Sequence, residues 1–171
     1  MLLDTTKETL CVNRVVGKKK EIIMVEGDII VPDIKPDILN TACTSGNVFV
    51  YKKETLDEKV RLDGSVCAEI VYLADNDDNS IRGLKTTLDF TEIIDFEKCK
   101  SGMMLNEYAR IKNIECKVLN SRKINVKASI EVEMSVCSDE NIEIVNKINE
   151  AGNIQFLKNS LEVNSLCRQW Y

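Results

Sequence analysis

Two aspartates are the acids in this sequence whose placement is most suggestive of chemistry. Asp33 and Asp37 directly follow Pro32 and Pro36, so the backbone is restricted beside each carboxylate. Paired carboxylates can act as general acid and base. Aspartate is also favoured at turns and at the first residues of helices, and neither a base nor a nucleophile accompanies this pair. We therefore favour a turn and helix-start role, and we predict no catalytic residue.

Composition argues against several functional classes. The 171 residues include no histidine, which removes the commonest general base and metal ligand. The net charge of −5 disfavours nucleic acid as a partner, since phosphate binding requires a basic surface. No run of about 18 apolar residues is available to span a membrane. We predict a protein that is not an enzyme and has no cofactor.

The acidic loop that starts at Asp75 resembles the beginning of a calcium-binding EF-hand loop. Ser80 stands where that loop needs glycine, and Thr86 stands where it needs a bidentate glutamate. A polar hairpin loop is the better interpretation. We predict no metal site.

The seven cysteines lie far apart, and none forms a C-x-x-C pair. Local signatures of zinc and iron–sulfur sites are therefore missing. Most of the thiols are expected to be small buried apolar groups, with Cys116 as the clearest example. Strand alternation places Cys67 and Cys137 on polar faces, and Cys99 falls in an expected surface loop.

Alternation of apolar and polar residues organises the fold. Residues 122–137 alternate almost without a break, which predicts a long strand with one dry and one wet face. Similar patterns predict strands over 8–16, 21–31, 47–53, 59–73 and 108–119, with a turn at Gly17 and the three lysines that follow. Pro36 and the apolar spacing after it predict a helix over 36–44. The expected fold is all-β, mainly antiparallel and sandwich-like, with that one short helix.

We expect one β domain over residues 1–139 and an extension over 140–171. The extension repeats a short pattern, because Leu161, Val163 and Asn164 are spaced like Leu10, Val12 and Asn13. Chance could produce so short an echo. Alternatively, the segment marked by Leu161, Val163 and Leu166 is the first strand of a next module, or a strand that can replace residues 8–16 of another copy.

Several strings resemble the SPOCS domain of endospore-forming bacteria over about residues 8–137. They are residues 25–39, with Pro32, Asp33, Lys35, Pro36 and Asp37 as the most specific motif, and residues 59–64, 70–74 and 119–123. The resemblance implies a non-enzymatic sporulation protein. SPOCS domains occur in adaptors that tether the spore coat and in proteins that build exosporium layers and appendages.

The resemblance leaves two functions open. The first is a structural protein, made in the mother-cell cytoplasm and deposited on the spore surface, that self-assembles into an exosporium, coat or appendage layer. Late intermolecular disulfides through Cys67, Cys99, Cys137 or Cys167 could lock that assembly. The alternative is a morphogenetic adaptor that binds another coat protein. We expect no LysM repeat after the domain, which favours the first, and an enzyme using Asp33 and Asp37 ranks third.

Overall fold

The computed structural model describes residues 4–76, 80–150 and 157. The described residues form six β-strands and no helix. The strands are β1 (Asp4–Ile30), β2 (Ile38–Leu56), β3 (Lys59–Ala74), β4 (Ile81–Asp95), β5 (Met104–Asn120) and β6 (Lys123–Glu150).

The strands form two three-stranded sheets, with the orders β1-β6-β5 and β2-β3-β4. β5 and β6 form an antiparallel hairpin whose register runs from Met104 opposite Cys137 to Asn120 opposite Lys123. β3 is antiparallel to both β2 and β4. The chain passes from the first sheet to the second between β1 and β2, and back between β4 and β5.

The core lies between the two sheets, because apolar side chains of their central strands belong to the same buried clusters. β6 contributes alternate residues from Ile124 to Val136, and β3 contributes residues that include Val60, Leu62 and Val66. The alternation over 122–137 is therefore confirmed as the mark of a strand with one dry face. The all-β antiparallel prediction is confirmed as well.

The chain divides into two compact units. The central unit is Asn13–Glu140 and contains the β2-β3-β4 sheet, most of the β1-β6-β5 sheet and the core. The terminal unit comprises Met1–Val12 and Asn141–Tyr171. Within its described part, Lys7 pairs with Glu143 at 3.0 Å, and Asn146 donates to Glu8 at 2.9 Å. None of the side chains described in the terminal unit is buried.

The predicted helix over 36–44 is wrong. Residues from Ile38 onward belong to β2, where Ile38 lies opposite Ala74 and Thr44 opposite Ile70. Two register shifts, between Ile38 and Asn40 and between Thr41 and Cys43, disrupt the period of two. The irregular spacing of apolar residues that suggested a helix comes from these shifts.

The predicted turn at Gly17 and the lysine run is also wrong, because β1 continues through it. Lys20 bonds to Glu131 at 2.9 Å and Glu133 at 3.2 Å on β6. A Cβ at Gly17 would lie 3.0 Å from the ring of Phe96. Gly17 therefore leaves room for the Phe96 ring, and Lys20 of the lysine run forms ion pairs with the neighbouring strand.

Candidate functional site

The motif residues form the loop that carries the chain from one sheet to the other. Val31 and Ile38, on either side of this loop, are both buried. The N–H of Lys35 donates to the carbonyl of Pro32 at 2.9 Å, which closes a turn. The turn role predicted for this segment is confirmed, whereas the helix start is not. The two prolines limit the conformations that the loop can adopt.

Arg122, in the turn between β5 and β6, holds this loop through four hydrogen bonds. One terminal nitrogen donates to the carbonyl of Lys35 at 2.8 Å and to Oδ1 of Asp37 at 3.0 Å. The other donates to the carbonyl of Val31 and to Oδ1 of Asp33, both at 3.0 Å. The fixed fork of a guanidinium allows this arrangement, which a lysine could not reproduce.

Further bonds tie the loop to both sheets. Lys35 Nζ donates to the carbonyl of Gly83 at 2.8 Å, and the Tyr72 hydroxyl donates to the carbonyl of Pro36 at 3.2 Å. The Ile38 N–H donates to the carbonyl of Ser121 at 2.8 Å. Burial raises the pKa of Tyr72, so its hydroxyl keeps the proton that it donates. The loop is thus fixed from β3, β4 and the β5–β6 turn.

This geometry gives the two aspartates a structural role. Each places an oxygen on Arg122, which supplies the positive charge opposite them. Arg122 is the member of the site that was not predicted. Its sequence signal was present, because it lies in the 119–123 string that resembles the family, but nothing in the spacing connected it to residues about 90 positions earlier.

Ile34 occupies the tip of the loop and is 93% exposed. The loop around it is held by two prolines and by the bonds of Arg122, Tyr72 and Lys35. An apolar side chain on a rigid segment loses little conformational freedom on binding. The loop can therefore present Ile34 to a partner.

The outer face of each sheet has an acid near its centre. Glu131 on β6 is only 5% exposed and lies between Lys20 on β1 and Arg110 on β5. Hydrogen bonds from Lys20 and then Arg110 hold the pKa of Glu131 below its usual range. Asp63 on β3 has a lowered pKa too, chiefly because the Thr91 hydroxyl donates to it at 2.8 Å. These charges join neighbouring strands within a sheet.

The six cysteines in the described ranges are all free thiols, and their exposure differs from the prediction. Cys99 is 1% exposed, so the expected surface position is wrong: its loop turns inward and the side chain joins the core. Burial also raises the pKa of the Cys99 thiol. Cys137 is buried as well, with the Asn106 amide 3.9 Å from its sulfur. On a central strand, the neighbouring strands cover the side chains of the polar face. The alternation of residues within one strand does not reveal this burial.

Cys67 is half-buried on the outer face of β3, and the most open thiols are Cys11 on β1 and Cys43 on β2. Cys116 is also half-buried, and burial raises the pKa of its thiol. Cys167 and the strand-exchange candidates Leu161, Val163 and Leu166 lie outside the described residues.

The described part of the chain contains no group of three or more acidic or thiol ligands that could hold a metal ion. It also contains no helix suited to crossing a membrane.

Comparison with known proteins matches part of the chain to a protein family. Residues 37–119 match the family described as "SipL, SPOCS domain". No curated protein and no solved structure matches the chain. The matched range begins at Asp37, so most of the Pro32–Asp37 motif precedes it, and Arg122 follows it. The match points to a sporulation-related protein, and over residues 37–119 it confirms the resemblance to the SPOCS domain seen in the sequence.

Proposed function

We propose that this protein is a structural component of the spore surface that self-assembles into an exosporium, coat or appendage layer. The observation that carries the proposal is the combination of a match to the SPOCS domain with edge strands that, in the described residues, are paired into a sheet on one side only. In the described residues, β1, β5, β2 and β4 each pair on one side only. Unpaired edges of this length are templates for pairing with another chain.

The side chains of the candidate site favour a structural role over catalysis. Asp33 and Asp37 are engaged by Arg122, whose other bonds go to backbone carbonyls. A catalytic carboxylate would be expected to face a pocket with a proton-transfer partner. We therefore propose a protein without enzymatic activity that is made in the mother-cell cytoplasm and deposited on the spore.

Disulfides between subunits remain part of the proposal, with a changed choice of cysteines. The buried thiols of Cys99 and Cys137 would need local opening before they could meet a neighbour. Cys67 is partly open, and Cys11 and Cys43 are exposed. A bond between two copies needs an oxidant, which would be available once the mother cell has lysed. Cys67 and Cys167 are the candidates retained from the sequence.

Strand exchange through Leu161, Val163 and Leu166 is a second part of the proposal. Residues 8–16, which that segment resembles, lie within the edge strand β1. A strand supplied by a neighbour could occupy the same position. Deleting residues 153–171 should give a folded protein that no longer assembles, and polymers that form normally after the deletion would exclude this route.

The first experiment is electron microscopy of the purified protein with and without reductant. We expect ordered filaments or sheets, more resistant to dissociation without reductant than with it. Assemblies that are equally stable in both conditions would remove the disulfides from the proposal. Dispersed monomers in both conditions would overturn self-assembly.

The alternative is an adaptor that binds another coat protein, and it is favoured by the rigid presentation of Ile34. An adaptor should remain monomeric when purified and form a complex of fixed stoichiometry with its partner. Sedimentation of the purified protein over a wide concentration range separates the two functions, because only a self-assembling subunit grows with concentration.

A further inference from the structure

We infer that two copies of this chain pair through the free edge of β4, antiparallel and centred on Thr87, so that their β2-β3-β4 sheets become one continuous sheet. The contact rests on the proposed self-assembly, for which it would supply the repeating unit. β4 lies wholly within the central unit. In the part of the chain that the structure describes, β4 pairs with β3 alone.

The backbone of β4 points every second N–H and C=O group away from β3. The carbonyl of Ser80, just before the strand, accepts from the N–H of Ala74 at 3.0 Å. The N–H of Phe96, just after the strand, donates to the carbonyl of Glu58 at 2.8 Å, so even-numbered residues face β3 and the turn before it. The pairing with β3 has no register shift from one end of β4 to the other. Because the two directions alternate in an antiparallel strand, odd-numbered residues direct their N–H and C=O groups to the free edge.

Two lysines mark the limits of this edge. Lys35 Nζ donates to the carbonyl of Gly83 at 2.8 Å, and Lys19 Nζ donates to the carbonyl of Asp95 at 2.7 Å. Both accepting residues are odd-numbered, as the alternation requires. The odd-numbered residues between them are all exposed, and they offer a stretch of edge to which another strand can add: Lys85, Thr87, Asp89, Thr91 and Ile93.

The other edge strands have features that discourage pairing with another chain. β2 has three register shifts against β3, and β5 has two against β6. β1 carries Lys18, Lys19 and Lys20 in succession. Bulges and lysines are devices that protect sheet edges. β4 has neither a register shift nor a run of lysines, so its edge is the most open to a partner strand.

The charges of β4 are complementary to themselves when the strand is reversed about Thr87. In an antiparallel pair centred on this residue, positions equally distant from it face each other across the two copies. Lys85 then faces Asp89, and Arg82 faces Glu92. Two-fold symmetry makes each of these opposite-charge pairs occur twice. This charge complementarity identifies the partner as a second copy of the same strand.

Apolar residues match in the same alignment. Ile81 and Ile93, which are 69% and 57% exposed, face each other on the outer face of the sheet, and Leu84 faces Phe90 on the inner face. Odd-numbered residues face odd-numbered ones, so the groups that point to the free edge are those that exchange hydrogen bonds. Charge, apolar contact and hydrogen bonding therefore favour one register.

Other registers lose this match. Sliding one copy by two residues places Lys85 opposite Thr87 in one direction and opposite Thr91 in the other. Sliding it by four residues places Lys85 opposite Lys85, or Asp89 opposite Asp89. Like charges that face each other across a pair of strands are destabilising.

Most of these charges lack an ion-pair partner within one copy. Lys85 pairs with Glu69 on β3 at 3.0 Å, and both side chains are exposed. Arg82, Asp89 and Glu92 form no ion pair with any other residue that the structure describes. A second copy would therefore supply partners that the isolated chain does not.

The decisive test reverses the charges that face each other, one at a time, in the full chain. Lys85→Asp places an acid opposite Asp89 of the other copy, and Asp89→Lys places a lysine opposite Lys85. Each change makes two attractive contacts repulsive, so each should weaken dimerisation at least about tenfold. Glu69→Gln removes the partner of Lys85 within its own copy and is the matched control, expected to dimerise like the wild type. Native mass spectrometry in reductant measures the dimer, and circular dichroism checks that each variant is folded.

Mixing the two charge variants gives the most specific readout. In a mixed pair, the acids of the Lys85→Asp copy face the lysines of the Asp89→Lys copy at both contacts. One isotope-labelled and one unlabelled variant should therefore form heterodimers, although neither dimerises by itself. Thr87→Pro tests the backbone separately, because it removes an N–H that points to the free edge and is not part of the pairing with β3. It should abolish dimerisation and leave the chain folded.

The outcomes separate this contact from the function on which it rests. Single charge variants that dimerise like the wild type, or a mixture that stays monomeric, would overturn the β4 contact. Ordered layers that still form from both single variants would overturn it too and leave self-assembly standing. A wild-type chain that forms the dimer and nothing larger would support the contact and overturn the layer, because a two-fold contact closes on itself. A wild-type chain that stays monomeric at every concentration would overturn both.

Discussion

Strand β6 carries the same alternation through two different environments. In the central unit its apolar residues from Ile124 to Val136 are buried, whereas Ile142 and Ile144 in the terminal unit are each 39% exposed. The difference lies in what faces the strand, because β3 packs against the inner face of β6 in the central unit. Alternation thus determines which side chains share a face, and the opposing sheet determines whether that face is dry.

The largest expected difference between the two units is the effect of removing a β6 side chain. Ile130→Ala should lower the free energy of unfolding by about 2–5 kcal/mol, because it leaves a cavity between the sheets. Ile144→Ala in the terminal unit should change it by about 0.5 kcal/mol or less. Urea denaturation of the two variants measures both values. Comparable losses would mean that the terminal unit is as tightly packed as the central one.

Alanine substitutions at two glycines test the packing of the central unit more closely. At Gly64 on β3, an added Cβ would lie 2.4 Å from the ring of Phe90 and 2.6 Å from the Phe49 carbonyl oxygen. Gly64→Ala should therefore destabilise the fold by about 1–3 kcal/mol. At Gly83 on β4 a Cβ would meet nothing within 4 Å, so Gly83→Ala is the matched control. Thermal unfolding should separate the two, and equal midpoints would contradict the close contact at Gly64.

The loop from Pro32 to Asp37 depends on the shape of the Arg122 guanidinium as well as on its positive charge. Arg122→Lys should cost about 1–3 kcal/mol, because a single ammonium cannot satisfy the carbonyls of Val31 and Lys35 along with two carboxylates. Arg82→Lys, at an exposed position on β4, should be near neutral. Chemical denaturation measures both. A lysine that fully replaces Arg122 would show that the ion pairs, rather than the carbonyl bonds, hold the loop.

The smallest expected effect is on the pH dependence of stability, and it is tested at two glutamates on β6. Glu131, in the central unit, has a lowered pKa, so the stability it contributes is present at neutral pH and is lost as the pH falls below its ordinary value of 4.5. Glu131→Gln should therefore reduce the loss of stability between neutral and acidic pH. Glu143 pairs with Lys7 in the terminal unit, and both side chains are exposed, so Glu143→Gln should leave the pH profile nearly unchanged. Unfolding measured from pH 7 to pH 3 tests the pair.

Much of the fold could be predicted because alternation is a local property. The strand over 122–137 and its partner over 108–119 are present as parts of β6 and β5. The helix prediction failed where two register shifts disrupt alternation after Ile38. The turn predicted at Gly17 failed because glycine there accommodates Phe96, a residue far away in sequence. Local patterns cannot distinguish a glycine that turns the chain from one that admits a distant ring.

The candidate site was predicted in its residues but not in its arrangement. Its prolines and aspartates were identified, whereas Arg122 was recognised only as part of the 119–123 string that resembles the family. Cys99 was predicted to be exposed because it lies in a loop. Cys137 was predicted to be exposed because alternation places it on the polar face of its strand. Both side chains are buried. Burial of this kind depends on neighbouring strands and on the path of a loop, which the sequence does not specify locally.

The order β1-β6-β5 has a consequence for synthesis of the chain. β1 is made first, yet 92 residues separate its end from the start of its partner β6. At about 5–20 residues per second, a ribosome needs roughly 5–20 seconds to supply those residues. During that time β2, β3 and β4 can pair as consecutive hairpins, while β1 still lacks the strand beside it. The nascent chain therefore exposes a long unpaired strand before each molecule is complete, and the density of translating ribosomes sets how often two such strands meet.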